Sequence, residues 1–244
     1  MKRIARFAAL PVADLLRGQA LVLARRRDLA WLLGGLLAGW WVYVPLHELL
    51  HAFGCLAAGG AVSRLEIDPL YGGALLARVV PWVVAGGEYA GRLSGFDTRG
   101  SDLVYLVTDL APFVLALLPG VWALRKAARA RRPGLFGAGA PFALAPLLSL
   151  TGDAYEIGSI LVTRLPPWAP AVTLLRGDDV GVVFARVAAA APAPWGGFVA
   201  AIAVGVAWAW ATYGLGAAVA RALGEPALAA PAPVNRPSAG PSPT

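Results

Sequence analysis

Residues 29–58 read LAWLLGGLLAGWWVYVPLHELLHAFGCLAA, an apolar stretch long enough to cross a lipid bilayer as a helix. No charged residue occurs from Leu29 to Leu46, and the next five residues, His47 to His51, read HELLH. These are the only two histidines among the 244 residues. Ionisable groups are costly at membrane depth and usually have a function there, so the stretch predicts both a membrane span and a site.

The two histidines have the spacing that a helix needs to bind one metal ion. Positions i and i+4 of an α-helix lie on the same face, so the imidazoles of His47 and His51 can hold a single cation. Glu48 is then expected beside the cation, where its carboxylate can take a proton from a bound water molecule. The motif therefore predicts a metal site with catalytic potential.

The composition is that of an integral membrane protein. Hydrophobic residues make up 58% of the chain and charged residues 14%, and the mean hydropathy is +0.65, which excludes an ordinary soluble domain. The net charge of +7 comes from basic residues at the ends of apolar segments, an arrangement typical of topology-determining charges. The expected partner of these residues is therefore the lipid bilayer and not a nucleic acid. Cys55 is the only cysteine, which excludes an internal disulfide and a cysteine-based zinc site.

The chain is predicted to be an all-α polytopic membrane protein with about four transmembrane helices and a small β-hairpin between the first and the second. A helix of roughly 20 apolar residues crosses the hydrocarbon core of a bilayer. Segments of this kind occur at about residues 29–58, 103–124, 135–162 and 195–220. Together they form one predicted membrane domain, residues 29–223.

The two ends of the chain differ in composition from the membrane domain. Residues 1–28 contain seven Lys and Arg residues and predict a basic amphipathic leader helix on the membrane surface. A solvated leader that only fixes the topology explains the same residues equally well. Residues 224–244 are rich in Pro, Ala and Ser, which predicts a disordered tail.

Residues 62–80 predict the β-hairpin. Polar and apolar residues alternate over residues 63–68, Tyr71 and the two glycines after it supply a turn, and the apolar run from Ala74 to Val80 is the expected second strand. An exposed strand edge beside the histidines could bind an unwound polypeptide segment by backbone pairing. The alternative is an ordinary connecting hairpin.

The basic residues also predict the topology. The leader contains seven of them and residues 125–132 contain five, whereas the two intervening loops contain fewer basic and more acidic residues. The positive-inside rule then places both termini in the cytoplasm of a multi-pass protein, and we expect a bacterial plasma membrane. At about 1.5 Å per residue, His47 lies roughly 27 Å along the helix from Leu29. If the arginine cluster is cytoplasmic, the site then approaches the opposite membrane face. Its sidedness stays open between such an inverted placement and an unexpected packing of the leader.

A third metal ligand is required, because a catalytic zinc site usually has three protein ligands and one open position. No further histidine is present and the only cysteine lies near the same helix, so the third ligand must be a carboxylate. The candidates within the predicted spans are Asp109, Asp153 and Glu156. Asp153 ends the sequence APLLSLTGD, and Glu156 follows about one helical turn later on the same face.

On these residues the chain resembles the site-2 protease family of intramembrane zinc metalloproteases, as a divergent member. That family places HExxH in one transmembrane helix, a small membrane-associated β element after it, and the third ligand in a later helix. The third ligand is an aspartate in a motif of the Leu-Asp-Gly type preceded by proline. The resemblance extends over about Trp40 to Ile160, but here Gly152 precedes Asp153 and Ala154 follows it, where glycine is usual. In the family the site generally lies nearer the cytoplasmic face.

The resemblance implies a zinc metalloendopeptidase that hydrolyses peptide bonds in or near the transmembrane segments of membrane-protein substrates. It implies that zinc is the cofactor, that His47, His51 and Asp153 bind it, and that Glu48 is the general base.

Two alternatives stay open. The first is a non-proteolytic membrane protein that uses the metal for structure or transport. The second is a membrane protease of the prenyl-protein type, in which a glutamate such as Glu156 would be the third ligand. If Asp153 is the ligand, Glu156 and Asp109 are candidates for supporting roles around the metal, Glu156 by orienting a histidine N–H.

Overall fold

The computed structural model describes residue 5 and residues 7–229. The first part of the predicted leader and residues 230–244 of the predicted tail lie outside the described residues. The helices and strands are α1 Leu10–Val22, α2 Arg26–Ala57, β1 Ala61–Ile67, α3 Gly73–Leu76, β2 Val83–Ala85, β3 Gly91–Asp97, α4 Asp102–Leu110, α5 Val121–Arg129, α6 Pro133–Leu148, α7 Asp153–Thr163, α8 Val172–Leu175, α9 Val180–Ala189 and α10 Trp195–Ala222.

Four helical units among the described residues are long and apolar enough to cross a membrane: Arg26–Ala57, Asp102–Arg129, Pro133–Thr163 and Trp195–Ala222. They correspond to the four predicted spans, so the prediction of a mostly helical protein of this type is confirmed at the level of helix length and composition. Insertion into a membrane stays a prediction.

The first helical unit, α2, has a capping interaction at its start and a glycine with positive φ just after its end. At its start the Asp28 carboxylate accepts hydrogen bonds from the backbone N–H groups of Ala24 and Arg25, at 3.1 and 2.7 Å, which satisfies donors at a helix N-terminus. At its end Gly59 adopts a φ of +91°, which a residue with a side chain rarely adopts. The chain then turns directly into β1, so the sheet lies next to the C-terminal end of the helix that carries HELLH.

The second and third helical units are interrupted. In the second, Leu118 has extended backbone angles (φ −157°, ψ 128°) between α4 and α5. In the third, α6 ends at Leu148 and α7 begins at Asp153, with residues 149–152 forming a turn between them. Breaks at membrane depth are tolerated where the freed backbone groups lie inside the protein. The second break places Asp153 in the first turn of a new helix.

The sheet differs from the predicted hairpin. Its strand order is β2-β1-β3, with β2 parallel and β3 antiparallel to β1. The first strand was predicted correctly, but the second strand expected from Ala74 to Val80 is wrong. That segment starts with the short helix α3, which follows Gly72 in a left-handed conformation. The apolar side chains of Leu76 and Val80 pack onto Leu65 and its buried neighbours in the sheet. This packing accounts for the apolar run in the sequence without a second strand.

Close packing of α2 on α6 depends on glycines. A side-chain carbon at Gly35 would collide with the carbonyl of Gly134, and one at Gly39 would collide with the carbonyl of Ala138. Small residues at such positions let two backbones approach, which is the usual basis of helix packing in membrane proteins. The helix that carries the histidines is therefore held against its neighbour backbone to backbone.

Helix α1 is attached to the bundle by a buried ion pair. Asp14 and Arg125 are each only 1% exposed, and Arg125 Nη2 donates to Asp14 Oδ2 at 2.7 Å. The same oxygen accepts a hydrogen bond from the hydroxyl of Tyr213 on α10. The leader helix thus packs on α5 and α6 and is hydrogen-bonded to α10, and its position at a membrane surface stays a prediction.

Substitution of Gly39 tests the α2–α6 packing. Gly39→Ala should destabilise the protein by about 1–3 kcal/mol, because the added methyl group overlaps the Ala138 carbonyl. Gly34→Ala is the matched control, since no atom of a neighbouring element lies within 4 Å of a side-chain carbon built there. The control should be neutral or slightly stabilising. The midpoint of unfolding in mixed detergent–SDS micelles measures both, and equal midpoints would contradict the close approach of the two helices.

Candidate metal centre

His47, His51 and Asp153 come together where α2 meets the start of α7. Asp153 Oδ2 lies 3.2 Å from His47 Nε2, and Asp153 Oδ1 lies 3.5 Å from His51 Nε2. The two Nε2 atoms are 3.2 Å apart. Ligands at about 2 Å from a tetrahedral zinc ion are themselves about 3.3 Å apart, so the three groups have the spacing of a zinc site.

Two further observations fit a metal ion at this point. Asp153 Oδ2 is buried and has no hydrogen-bond donor among the described residues, although a buried carboxylate oxygen normally has one. The Nε2 atoms of His47 and His51 also face each other and the same carboxylate, an arrangement that a shared cation would balance. Two imidazoles and a carboxylate are a common donor set for catalytic zinc and leave a fourth position open.

The other ring nitrogen of each histidine is held by a hydrogen bond. His47 Nδ1 lies 2.9 Å from the Tyr43 hydroxyl, and His51 Nδ1 lies 2.9 Å from the Thr108 carbonyl oxygen. When Nδ1–H donates to such partners, Nε2 is left with its lone pair directed at the metal position. Tyr43 and Thr108 are therefore the partners that orient the two imidazoles, a role that the sequence suggested for Glu156.

Sequence reasoning missed both of these partners, for different reasons. Tyr43 lies four residues before His47 on the same helix face, and that spacing is a usable signal. Thr108 contributes its backbone carbonyl. Every residue has such a group, so the amino-acid sequence does not indicate this contact. Cys55 lies one turn after His51 and is buried, with its thiol donating to the Ala61 carbonyl at 3.6 Å.

The position of Asp153 is fixed by the packing of α7 against α10. A side-chain carbon at Gly158 would collide with the carbonyl of Ala201, and one at Gly205 would collide with the carbonyl of Ala154. Ala154, next to the ligand, is completely buried. The start of α7 therefore has little freedom to move away from the histidines.

Glu48 and Asp153 face a large polar cavity beside the histidines. The cavity has a volume of about 790 Å³ and is lined by residues of α2, β3, α4, α7 and α9, including Glu48, His51 and Asp153. At the edge of the sheet, a side-chain carbon at Gly91 would overlap the Glu48 side chain. Glycine at this place lets β3 approach the Glu48 side chain closely.

Asp109 and Glu156 lie in the same cavity but outside the group of ligands. Among the described residues, His47, His51 and Asp153 are the three whose ligand atoms all lie within 4.8 Å of one another. Glu156 instead accepts a hydrogen bond from the Tyr105 hydroxyl. The geometry therefore favours Asp153 over the two other carboxylates as third ligand.

No protein-family model, no curated protein and no solved structure matches the chain. The fold and the site define the coarse class: a mostly helical protein with four membrane-type helices, a small three-stranded sheet and a candidate metal centre between the first and third helical units. The resemblance to the site-2 protease family stays a prediction.

Removal of one ligand tests the metal centre. The purified protein should bind one zinc ion, and His51→Ala should lose it because two ligands hold zinc far more weakly than three. Cys55→Ala is the matched control on the same helix and should retain the metal, since its thiol faces the Ala61 carbonyl. Elemental analysis after dialysis measures the stoichiometry. Equal zinc content in the wild-type protein and His51→Ala would contradict the assignment.

Proposed function

We propose that the chain is an intramembrane zinc metalloprotease that cleaves peptide bonds in or near the transmembrane segments of membrane proteins. The observation that carries the proposal is the convergence of two imidazoles and one carboxylate, with ligand atoms 3.2–3.5 Å apart, next to Glu48. This group lies between helices that are apolar and long enough to cross a bilayer.

His47, His51 and Asp153 would hold the metal, and Glu48 would act as the proton carrier. Bound zinc supplies a Lewis acid that makes a water molecule acidic and polarises the scissile carbonyl. Glu48 lines the cavity beside these ligands, where its carboxylate can take the proton of the attacking water. It then delivers that proton to the leaving amine, as a general base and acid in turn.

The sheet supports a polypeptide as the substrate. β3 is an outer strand of the sheet, and it lines the cavity through residues that include Gly91 and Leu93. An outer strand offers unpaired backbone groups to an extended segment. The carbonyls of a helical substrate are hydrogen-bonded within the helix, so pairing with β3 would favour the unwound form that can reach Glu48.

The arrangement of the helices supports a site on the extracytoplasmic side. α2 begins at Arg26, and its first turns pack against the start of α6. α5 ends at Arg129, and the side chain of Arg129 binds Glu225, which follows α10. The arginine-rich segments thus lie at one end of the bundle. The histidines and the sheet lie at the other end of α2. The positive-inside rule would place the basic end in the cytoplasm, so the site would be inverted relative to the usual family arrangement.

The variant Glu48→Gln distinguishes a protease from a non-proteolytic metal-binding protein. An enzyme should keep its zinc in this variant and lose cleavage by about 10²–10⁴-fold, because the proton acceptor is gone. Cells that express the wild-type protein or the variant can be compared by mass spectrometry of new protein N-termini in the membrane fraction. Glu88→Gln, an exposed loop substitution, is the control and should keep both zinc and cleavage. Identical sets of N-termini for the wild-type protein and Glu48→Gln would reject the protease.

The sidedness is tested by labelling single cysteines in a Cys55→Ala background. Glu88→Cys lies in the exposed loop before β3, and Ala130→Cys lies in the exposed basic turn after α5. A membrane-impermeant maleimide added to spheroplasts should label the first and not the second, whereas both should react after permeabilisation. The reverse pattern would place the site on the cytoplasmic side.

A further inference from the structure

The cavity beside the metal centre contains two buried carboxylates that the proposed reaction does not use. Asp109 on α4 is 3% exposed and Glu156 on α7 is 6% exposed, and both line the cavity together with Glu48 and Asp153. Such groups are costly inside an apolar bundle unless a positive partner or several hydrogen-bond donors compensate them.

The two arginines of the cavity are already bound to other groups. Arg92 lies 3.1 Å from the carboxylate of Asp178. Arg186 donates to the backbone carbonyls of Thr173 and Arg176, at 3.1 and 2.6 Å. Among the described residues that line the cavity, these are the only arginine or lysine side chains, and the one histidine, His51, belongs to the metal centre.

Asp178 and Asp179, the two aspartates before α9, have partners, whereas one carboxylate oxygen of Asp109 lacks one. Asp179 accepts hydrogen bonds from the backbone N–H groups of Gly181 and Val182 at the start of α9. Asp109 Oδ2 is buried and has no hydrogen-bond partner among the described residues. Glu156 accepts one hydrogen bond, from the Tyr105 hydroxyl. Asp109 and Glu156 are therefore the two carboxyl groups of the cavity that lie outside the metal centre and have no basic partner.

An inorganic cation is a poor candidate for this place. An ion needs several ligands around one point, and Asp109 and Glu156 do not belong to any group of three ligand atoms within 4.8 Å among the described residues. A guanidinium or ammonium group on a long side chain needs only one or two carboxylates. Leu93 and the rings of Phe96 and Tyr105, whose centroids are 5.7 Å apart, also line the cavity and can contact the aliphatic part of such a side chain.

We propose that Asp109 and Glu156 form a specificity subsite that binds an arginine or lysine side chain of the substrate close to the scissile bond. This subsite proposal rests on the proposed protease function, because it assumes a polypeptide substrate. The binding of a cationic side chain can be measured without catalysis. The preferred substrates are then membrane proteins with a basic residue at the extracytoplasmic border of a transmembrane segment.

The test compares two peptides that differ only in charge. Short fluorescent Leu/Ala peptides carry either arginine or its neutral isostere citrulline, and their binding to full-length Glu48→Gln protein in detergent micelles is followed by fluorescence anisotropy. The arginine peptide should bind about tenfold more tightly or better, since a hydrogen-bonded buried charge contributes that much. Equal affinities for the two peptides would overturn the subsite.

Variants locate the preference within the cavity. Asp109→Asn or Glu156→Gln is added to the Glu48→Gln protein. Either change should lower the affinity for the arginine peptide to nearly that for the citrulline peptide. An unchanged affinity for the citrulline peptide shows that the fold is intact. Glu88→Gln, in the exposed loop before β3 and outside the cavity lining, is the matched control and should keep the preference for arginine. A preference for arginine that survives both Asp109→Asn and Glu156→Gln would overturn the assignment to these residues.

The readouts separate the two proposals. A preference for arginine without zinc-dependent cleavage by the wild-type protein would reject the protease and keep the cation subsite. Zinc-dependent cleavage with equal affinity for arginine and citrulline would reject the subsite and keep the protease.

Discussion

The contact between the Asp153 carboxylate and the imidazoles of His47 and His51 joins two helices that are far apart in sequence. A carboxylate buried between apolar helices is tolerated when it faces groups that can share a proton or an ion with it. A metal site needs its ligands fixed to within about half an ångström. Glycines supply this precision, because they let α2 approach α6 and α7 approach α10 with backbone in contact with backbone. The long apolar helices are thus the frame that fixes three polar side chains.

Local sequence patterns predicted the helical frame and one half of the site. His47 and His51 share a face because one helix carries both, and apolar length alone indicates the four long helical units. Asp153 could be selected only as one of three carboxylates in apolar segments. Its approach to the histidines depends on the turn before α7 and on the packing of α7 against α10, and these are tertiary features. A glycine and a proline near the break are the only local traces of them.

The sheet shows where local patterns fail. β2 pairs in parallel with β1 across a connection that contains the helix α3, and no short-range alternation indicates such pairing. The apolar residues before β2 resemble a strand because they cover the buried face of the sheet. The closeness of Gly91 to Glu48 is equally invisible in sequence, since it requires β3 to fold back over the end of α2. The cavity wall is therefore built from contacts between segments that are distant along the chain.

The ion pair between Asp14 and Arg125 links the first helix to the middle of the chain, and Tyr213 adds the last helix to the same group. Arg17 likewise donates to the carbonyl of Leu228, near the end of the described residues. Helix α1 and the segment after α10 therefore lie close together beside a buried guanidinium. During synthesis this charge has its acidic partner early, but its cover from α10 arrives last. The group that surrounds the Arg125 guanidinium is thus complete only when α10, the last of the described helices, has packed into the bundle.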